Sequence, residues 1–362
     1  MMYSSNPITA RTPLCRILGW TALTLSATVG LASCATKSNL GDNSTAPRPE
    51  TALEIVTTTL PVTDFTKAVV GNRAEVIYLM PPNVSPHDFQ AKPEDVQTIA
   101  QADVLVENGL GLESYLDSLI HNSGNQKLTV IDSSKGIEPI AQAAEAHSDT
   151  TANATDGHAH AGEFNPHLWL DPTRAIQQVE TIRDGLIAID PQGKANYTAN
   201  AAVYIEKLKA LDAEIANTLK PYVGKTFVTY HDFAPYFAQR YSLKPEFLVG
   251  VPEENPAPAD VKRVMDAVKA SELKTLLTEP QAAGNPFDAL AKDLNVNVSS
   301  FDPMETAGAN GLEPDYYLTT MRQNVKNLEA AFQGEPERSA LPIWQFQPRI
   351  ATTNRFHVGW VN

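Results

Sequence analysis

The segment AEVIYLMPPNVSPHDFQAKPEDVQTIAQADVLVENG, residues 74–109, holds a complete strand–turn–helix–strand unit. Its first apolar run ends at Met80. Pro81 and Pro82 then open a turn that carries His87, and a helix starts near Pro93 and runs to Ala102. A second strand occupies DVLVENG, 103–109. Two strands separated by a helix imply a parallel pair, because only a crossover element can return the chain to the same edge.

The same alternation extends in both directions. LEIVTTTL (53–60) is strand-like, and a helix starting near Pro61 carries Phe65, Ala68 and Val69. A helix from Glu113 to Ile120 and a strand KLTVI (127–131) follow. Asp171-Pro172 is a helix N-cap followed by proline at the first helical position, opening a helix to about Ile189. From Lys194 to Lys220, Tyr197, Ala201, Tyr204, Leu208, Leu211, Ile215 and Leu219 recur at three- and four-residue steps. That stripe predicts one continuous helix of ~40 Å, long enough to run the height of two lobes. Beyond it TFVTY (226–230), EFLVG (246–250), KTLLTE (274–279) and NVNVSSF (295–301) read as strands. Helices are expected at 232–241, 258–271, 285–293 and 314–333. No short repeat is visible, yet the halves are architecturally alike, and the fold class is α/β with mostly parallel sheets.

The chain has 362 residues, 43% of them hydrophobic and 19% charged, so it is globular in composition and long enough for two domains. A formal net charge of −14 argues against nucleic acid as a partner. Arg11 and Arg16 precede an apolar stretch, 17–32, too short for a comfortable membrane span. It ends in Leu31-Ala32-Ser33-Cys34, which resembles a bacterial lipobox, so residues 1–33 read as a lipoprotein signal peptide and Cys34 as the lipidated first residue. A soluble secretory peptide with a chance cysteine, or an uncleaved anchor, are the alternatives. The only cysteines are Cys15 and Cys34, which leaves His and carboxylates as the metal chemistry of the mature chain. Residues 34–52 form a flexible tether without apolar periodicity, and the fold should begin at Leu53.

Three histidines and an aspartate share one context. His87 follows the strand ending at Met80, His231 follows TFVTY, and Asp302 follows NVNVSSF; His167 lies in EFNPHLWLDP, just before a capped helix. Separations of 80, 64 and 71 residues exclude any local element as the cause of a shared site. In a parallel α/β sheet such positions converge beyond the carboxyl ends of the strands. Three imidazoles and one carboxylate suit a closed tetrahedral Zn²⁺ site. A single His at a strand end is commonly a surface residue, and Asp302-Pro303 and Asp232 also read as turn or cap residues. Periodicity alone leaves both readings open.

Longer segments carry a resemblance. PHDFQAKPEDVQTIAQADVLVENGLGLE (86–113), NPHLWLDP (165–172), TYHDFAPYF (229–237) and FDP (301–303) resemble the cluster A-I metal-binding lipoproteins of ABC importers, in particular their zinc-specific ZnuA type. The likeness covers Leu53 to Phe332 in order and spacing. It implies two similar α/β lobes, 53–193 and 221–333, joined by a long rigid helix, 194–220, with the metal in the cleft between them. It makes His87 and His167 ligands from the N-terminal lobe, and His231 and Asp302 ligands from the C-terminal lobe. Manganese-type relatives have glutamate where this chain has His231, and an imidazole there shifts preference towards Zn²⁺. Within 138–164, His147, His158 and His160 resemble the weak metal-collecting loop of zinc-type members; a linker with incidental histidines is the alternative. Glu279 reads as an orienting or structural group. Asn108, Gly109, Gly111 and Glu113 read as turn and helix-start residues. The tail, 334–362, is assigned no role.

The resemblance implies a monomeric, lipid-anchored receptor on the extracytoplasmic, periplasmic side of the membrane. It would capture Zn²⁺ as its transported ligand and pass it to an ABC permease and its ATPase. A manganese receptor of the same family is the main rival, and a lipid-anchored zinc-binding adhesin or sensor is another. A zinc hydrolase is disfavoured, because the chain lacks HExxH and four protein ligands would close the site to water.

Overall fold

The computed structural model describes residues 53–142, 163–250, 256–280 and 286–334. The leader, Cys34, the tether, the three loop histidines and almost all of the tail therefore lie outside the described residues.

Two four-stranded parallel sheets are present. In the first, β1 (Glu54–Thr57), β2 (Glu75–Tyr78), β3 (Val104–Glu107) and β4 (Thr129–Asp132) stand in the order β2-β1-β3-β4. In the second, β5 (Thr226–His231), β6 (Lys244–Val249), β7 (Thr275–Thr278) and β8 (Asn297–Ser300) stand in the order β6-β5-β7-β8. Each half thus places its first strand between its second and third. In each half the direction of winding reverses beside that strand, and such reversal points open a crevice at the carboxyl ends.

The helices are α1 (Leu60–Val70), α2 (Pro93–Gln101), α3 (Leu116–Ser123), α4 (Pro172–Ile189), α5 (Lys194–Leu219), α6 (Pro235–Tyr241), α7 (Pro258–Ala270), α8 (Pro286–Leu294) and α9 (Tyr316–Gln333). Local chemistry sets several of their ends. Thr59 caps α1 by accepting the Val62 amide, and Asp171 caps α4 by accepting the Thr173 amide at 2.8 Å. Short 3-10 turns, Pro191–Gly193 and Lys220–Tyr222, continue α5 at both ends, so the joining element runs from 191 to 222.

The inner strands β1, β3, β5 and β7 are buried along most of their length, and alternate residues serve different cores. On β1, Ile55 enters a central cluster while Val56 enters an outer one with Ile99, Leu105, Leu116 and Leu119. On the second sheet, Leu277 faces the central cluster and Leu276 an outer one with Val264 and Phe287. The central cluster is common to both halves. It contains Phe65 of α1, Ile182 of α4, Leu328 of α9 and the whole apolar stripe of α5, from Tyr197 to Leu219. The halves therefore share one core along the long helix, and each adds a separate core on its far side.

Candidate metal centre

Glu279 and His231 show how strand ends become ligand supports. His231 is the last residue of β5, and Glu279 follows the end of the neighbouring strand β7. The Glu279 carboxylate accepts the His231 backbone amide at 2.9 Å and lies 2.6 Å from its Nδ1. Nδ1 thus donates a proton to the carboxylate, and Nε2 is the nitrogen directed at the site. His167 is oriented by another route: its Nδ1 lies 3.0 Å from Asn165 Oδ1, again leaving Nε2 directed inward. His87 stands on the turn between β2 and α2, where its backbone amide donates to Ser85 Oγ at 3.3 Å.

The three Nε2 atoms converge. Those of His87 and His167 are 3.3 Å apart, as are those of His167 and His231. An edge of a tetrahedron built on Zn–N distances near 2.0–2.1 Å is about 3.3 Å. The fourth corner is an oxygen of Glu305, whose Oε1 lies 2.9 Å from His87 Nε2, 2.7 Å from His167 Nε2 and 3.3 Å from His231 Nε2. The four donor atoms all fall within 4.8 Å of one another. His167, His231 and Glu305 are fully enclosed, while the His87 side chain keeps 7% exposure.

Asp302, the expected fourth ligand, is outside this cluster. Its Oδ1 accepts the Met304 amide at 2.7 Å, and its Oδ2 meets the Tyr316 hydroxyl at 3.4 Å. Asp302 therefore closes an Asx-type turn, within which Met304 takes a left-handed φ of 63° and sends the next residue, Glu305, to the three imidazoles. The Asp-Pro pair was itself the sequence signal for that turn, and Glu305 was the next acid along. The opposing half holds the loop in place. Trp169 Nε1 donates to the Pro303 carbonyl at 2.8 Å, and the Ala307 amide donates to the Pro82 carbonyl at 2.7 Å.

Electrostatics match a cation site. Burial pushes the His167 imidazole down to about 3, outweighing the Glu305 carboxylate, so this ring is neutral at ordinary pH. Burial acts against the Glu305 charge, but the neighbouring His87 and His231 outweigh it and hold the carboxyl well below its usual range. Burial likewise acts against a His231 cation, yet Glu279 and Glu305 raise that imidazole well above its usual value. A neutral His167 with its proton on Nδ1 turns a lone pair towards the lone pairs of an ionised Glu305. Such a geometry is relieved by a cation placed between them.

Asn108, Gly109, Gly111 and Glu113 behave as turn residues with one addition. Gly109, Leu110 and Gly111 have φ of 88°, 56° and 77°. A side chain at Gly109 would run into Asp132 and Ser134. The buried Glu113 carboxylate gathers this loop, accepting the Asn108 amide at 2.7 Å, the Gly109 amide at 3.2 Å and the Thr58 hydroxyl at 2.5 Å. The flanks of the histidine loop are paired across its base, with an antiparallel bridge between Ala141 and Phe164.

A family model described as "Zinc-uptake complex component A periplasmic" matches residues 55–331. The zinc-binding protein AdcA of Streptococcus pyogenes serotype M3 is 32% identical over 289 residues, covering 77% of this chain and 56% of AdcA. The chain thus spans about half the length of such curated relatives. The high-affinity zinc uptake system protein ZnuA of Bacillus subtilis is 29% identical over 303 residues, covering 83% of this chain and 92% of its own. The Zn(II)-bound structure of AdcA from Streptococcus pneumoniae aligns with a TM-score of 0.64 at 30% identity, over 79% of this chain and 59% of that one. The laminin binding protein of Streptococcus agalactiae, described as bifunctional with adhesin and metal transporting activity, aligns with a TM-score of 0.67 at 27% identity, over 77% of this chain and 99% of its own.

Proposed function

Because the chain belongs to the family of periplasmic A components of zinc-uptake complexes, we propose that it captures Zn²⁺ between its two halves and delivers it to a membrane permease driven by an ATPase. The family is one of solute-binding transport proteins and not of enzymes. The ligands are His87 and His167 from the first half, and His231 and Glu305 from the second. The observation that carries this reading is the convergence of three Nε2 atoms and one carboxylate oxygen within 4.8 Å of one another. Three nitrogen donors and a single oxygen favour Zn²⁺ over Mn²⁺, which prefers an oxygen-rich shell. A site divided between halves also provides for release, since drawing them apart removes ligands from both sides of the ion.

The remaining parts of the reading concern residues outside those described. Residues 1–33 act as a lipoprotein signal peptide, Cys34 carries the lipid, and 34–52 tether a monomeric receptor to the extracytoplasmic face. One relative, from Streptococcus pneumoniae, is itself described as a zinc-binding lipoprotein. His147, His158 and His160 collect metal weakly.

The test is a competitive titration of metal-stripped protein with Zn²⁺ and Mn²⁺, repeated for His231→Glu. The unaltered protein should prefer Zn²⁺, and the variant should shift towards Mn²⁺. A native preference for Mn²⁺ would overturn the cation assignment.

A further inference from the structure

Asn165 has every polar group committed, and its commitments cross between the two halves. Its backbone amide donates to the Ile140 carbonyl at 2.9 Å, and its carbonyl accepts the Tyr236 hydroxyl at 2.8 Å. Its side-chain oxygen accepts the His167 backbone amide at 3.1 Å, and its side-chain nitrogen donates to the Asp232 carbonyl at 2.6 Å. A backbone amide can only donate and a carbonyl can only accept, so these two partners fix which end of the amide is which. With Oδ1 so fixed, the 3.0 Å approach of His167 Nδ1 must be an N–H donating to it. One buried amide therefore sets the tautomer of a ligand in the first half while gripping the residue next to ligand His231 in the second.

We propose that Asn165 is a positioning residue that couples the His167 ligand to the approach of the opposing half, and so governs how fast the bound ion is released. This rests on the zinc-receptor reading. When the halves separate, the bond to Asp232 is lost, and the amide that holds His167 loses its anchor. When they are together, His167 is aimed by the same contact that reports closure. Glu279, by contrast, braces His231 from the neighbouring strand of the same sheet.

The test separates the two bonds. Asn165→Asp is isosteric, keeps an acceptor for His167 and removes the donor to Asp232 at pH 8; Asn165→Ala removes both. Zn²⁺ release is followed by chelator chase, with equilibrium affinity and apo-protein melting measured alongside. Asn165→Asp should release Zn²⁺ about tenfold faster, and Asn165→Ala faster still, in the range of about 10–100-fold expected when a partner of a metal-bound imidazole is lost. Tyr236→Phe removes another bond between the halves, to the Asn165 carbonyl, and the acceptor for the Ile140 amide, without touching the side-chain amide that holds His167; it should lower the melting temperature and accelerate release far less than Asn165→Asp does. Release from Asn165→Asp at the native rate would overturn the proposal, as would equal acceleration by Tyr236→Phe. Failure of the unaltered protein to bind Zn²⁺ would instead refute the receptor reading.

Discussion

Two acids three residues apart make opposite predictions. Glu305→Gln keeps the shape of the side chain and removes its charge from the point 2.7–3.3 Å from three imidazole nitrogens. Changing a partner one step away from a metal ligand costs about 10–100-fold in affinity, and Glu305 occupies the ligand position itself. The expected loss is therefore at least about 100-fold, or about 2.7 kcal/mol. Asp302→Asn retains an acceptor for the Met304 amide and should change Zn²⁺ affinity by no more than about threefold, on the order of 0.6 kcal/mol. The two variants are compared by competition with a chromophoric chelator at fixed pH, with the melting temperature of each metal-free protein as a check on folding. An Asp302→Asn loss equal to or greater than that of Glu305→Gln would refute the assignment, because it would place the wrong carboxylate on the ion.

Three further outcomes are expected. Glu279→Gln should weaken Zn²⁺ binding by about 10–100-fold, less than Glu305→Gln, since His231 Nε2 stays in place but loses its anionic brace; isothermal titration would reveal an unaffected site if that brace is idle. Replacing residues 143–162 by a short Gly-Ser turn across the Ala141–Phe164 bridge should leave one tight Zn²⁺ site and remove only weaker binding. Loss of the tight site in equilibrium dialysis would mean that a ligand lies in the loop. The third concerns pH. Burial, then Glu113, Asp132 and Asp117, push the Glu107 carboxyl up to about 8 from an ordinary 4.5. The folded state thus holds this proton more tightly than the unfolded one, and stability is lost as pH rises from 4.5 to about 8. Relative to the unaltered protein, Glu107→Gln should melt higher above that window and show no such gain below it; parallel melting curves across pH would contradict this.

Much of this architecture was legible because its inner strands are buried on both faces. β1, β3, β5 and β7 appear as short, mainly apolar runs, and the capping pairs around Pro61, Pro93 and Asp171 locate the helices between them. The joining helix was legible from its stripe, every member of which is buried. Boundaries moved where a polar side chain serves the backbone. β1 stops at Thr57, because Thr59 is already the cap of α1 despite its strand-like neighbours. Helix α3 begins at Leu116, not at Glu113, since Glu113 turns back to hold the loop of left-handed residues before it. The histidines stood out because His231 ends a strand, His167 precedes a capped helix and His87 lies in a proline-rich turn between a strand and a helix. Glu305 did not, because a turn made by Asp302 separates it from its strand, and strand-end context favours the first acid encountered. The shared core was also hidden, since nothing in a helical stripe states how many sheets it will cover.

That shared core has a mechanical consequence. Near its start, α5 is tied to α1 by Asn200 on the Val69 carbonyl and Tyr204 on Asp64; further along, Glu214 pairs with Arg322 of α9. Each large side chain withdrawn from its stripe would forfeit about 1.5–3 kcal/mol, so swinging the halves apart like a book would forfeit many such increments at once. Motion at low cost is confined to slight rocking about a stiff spine. An ion held in the proposed site would therefore leave slowly unless something outside gripped both halves.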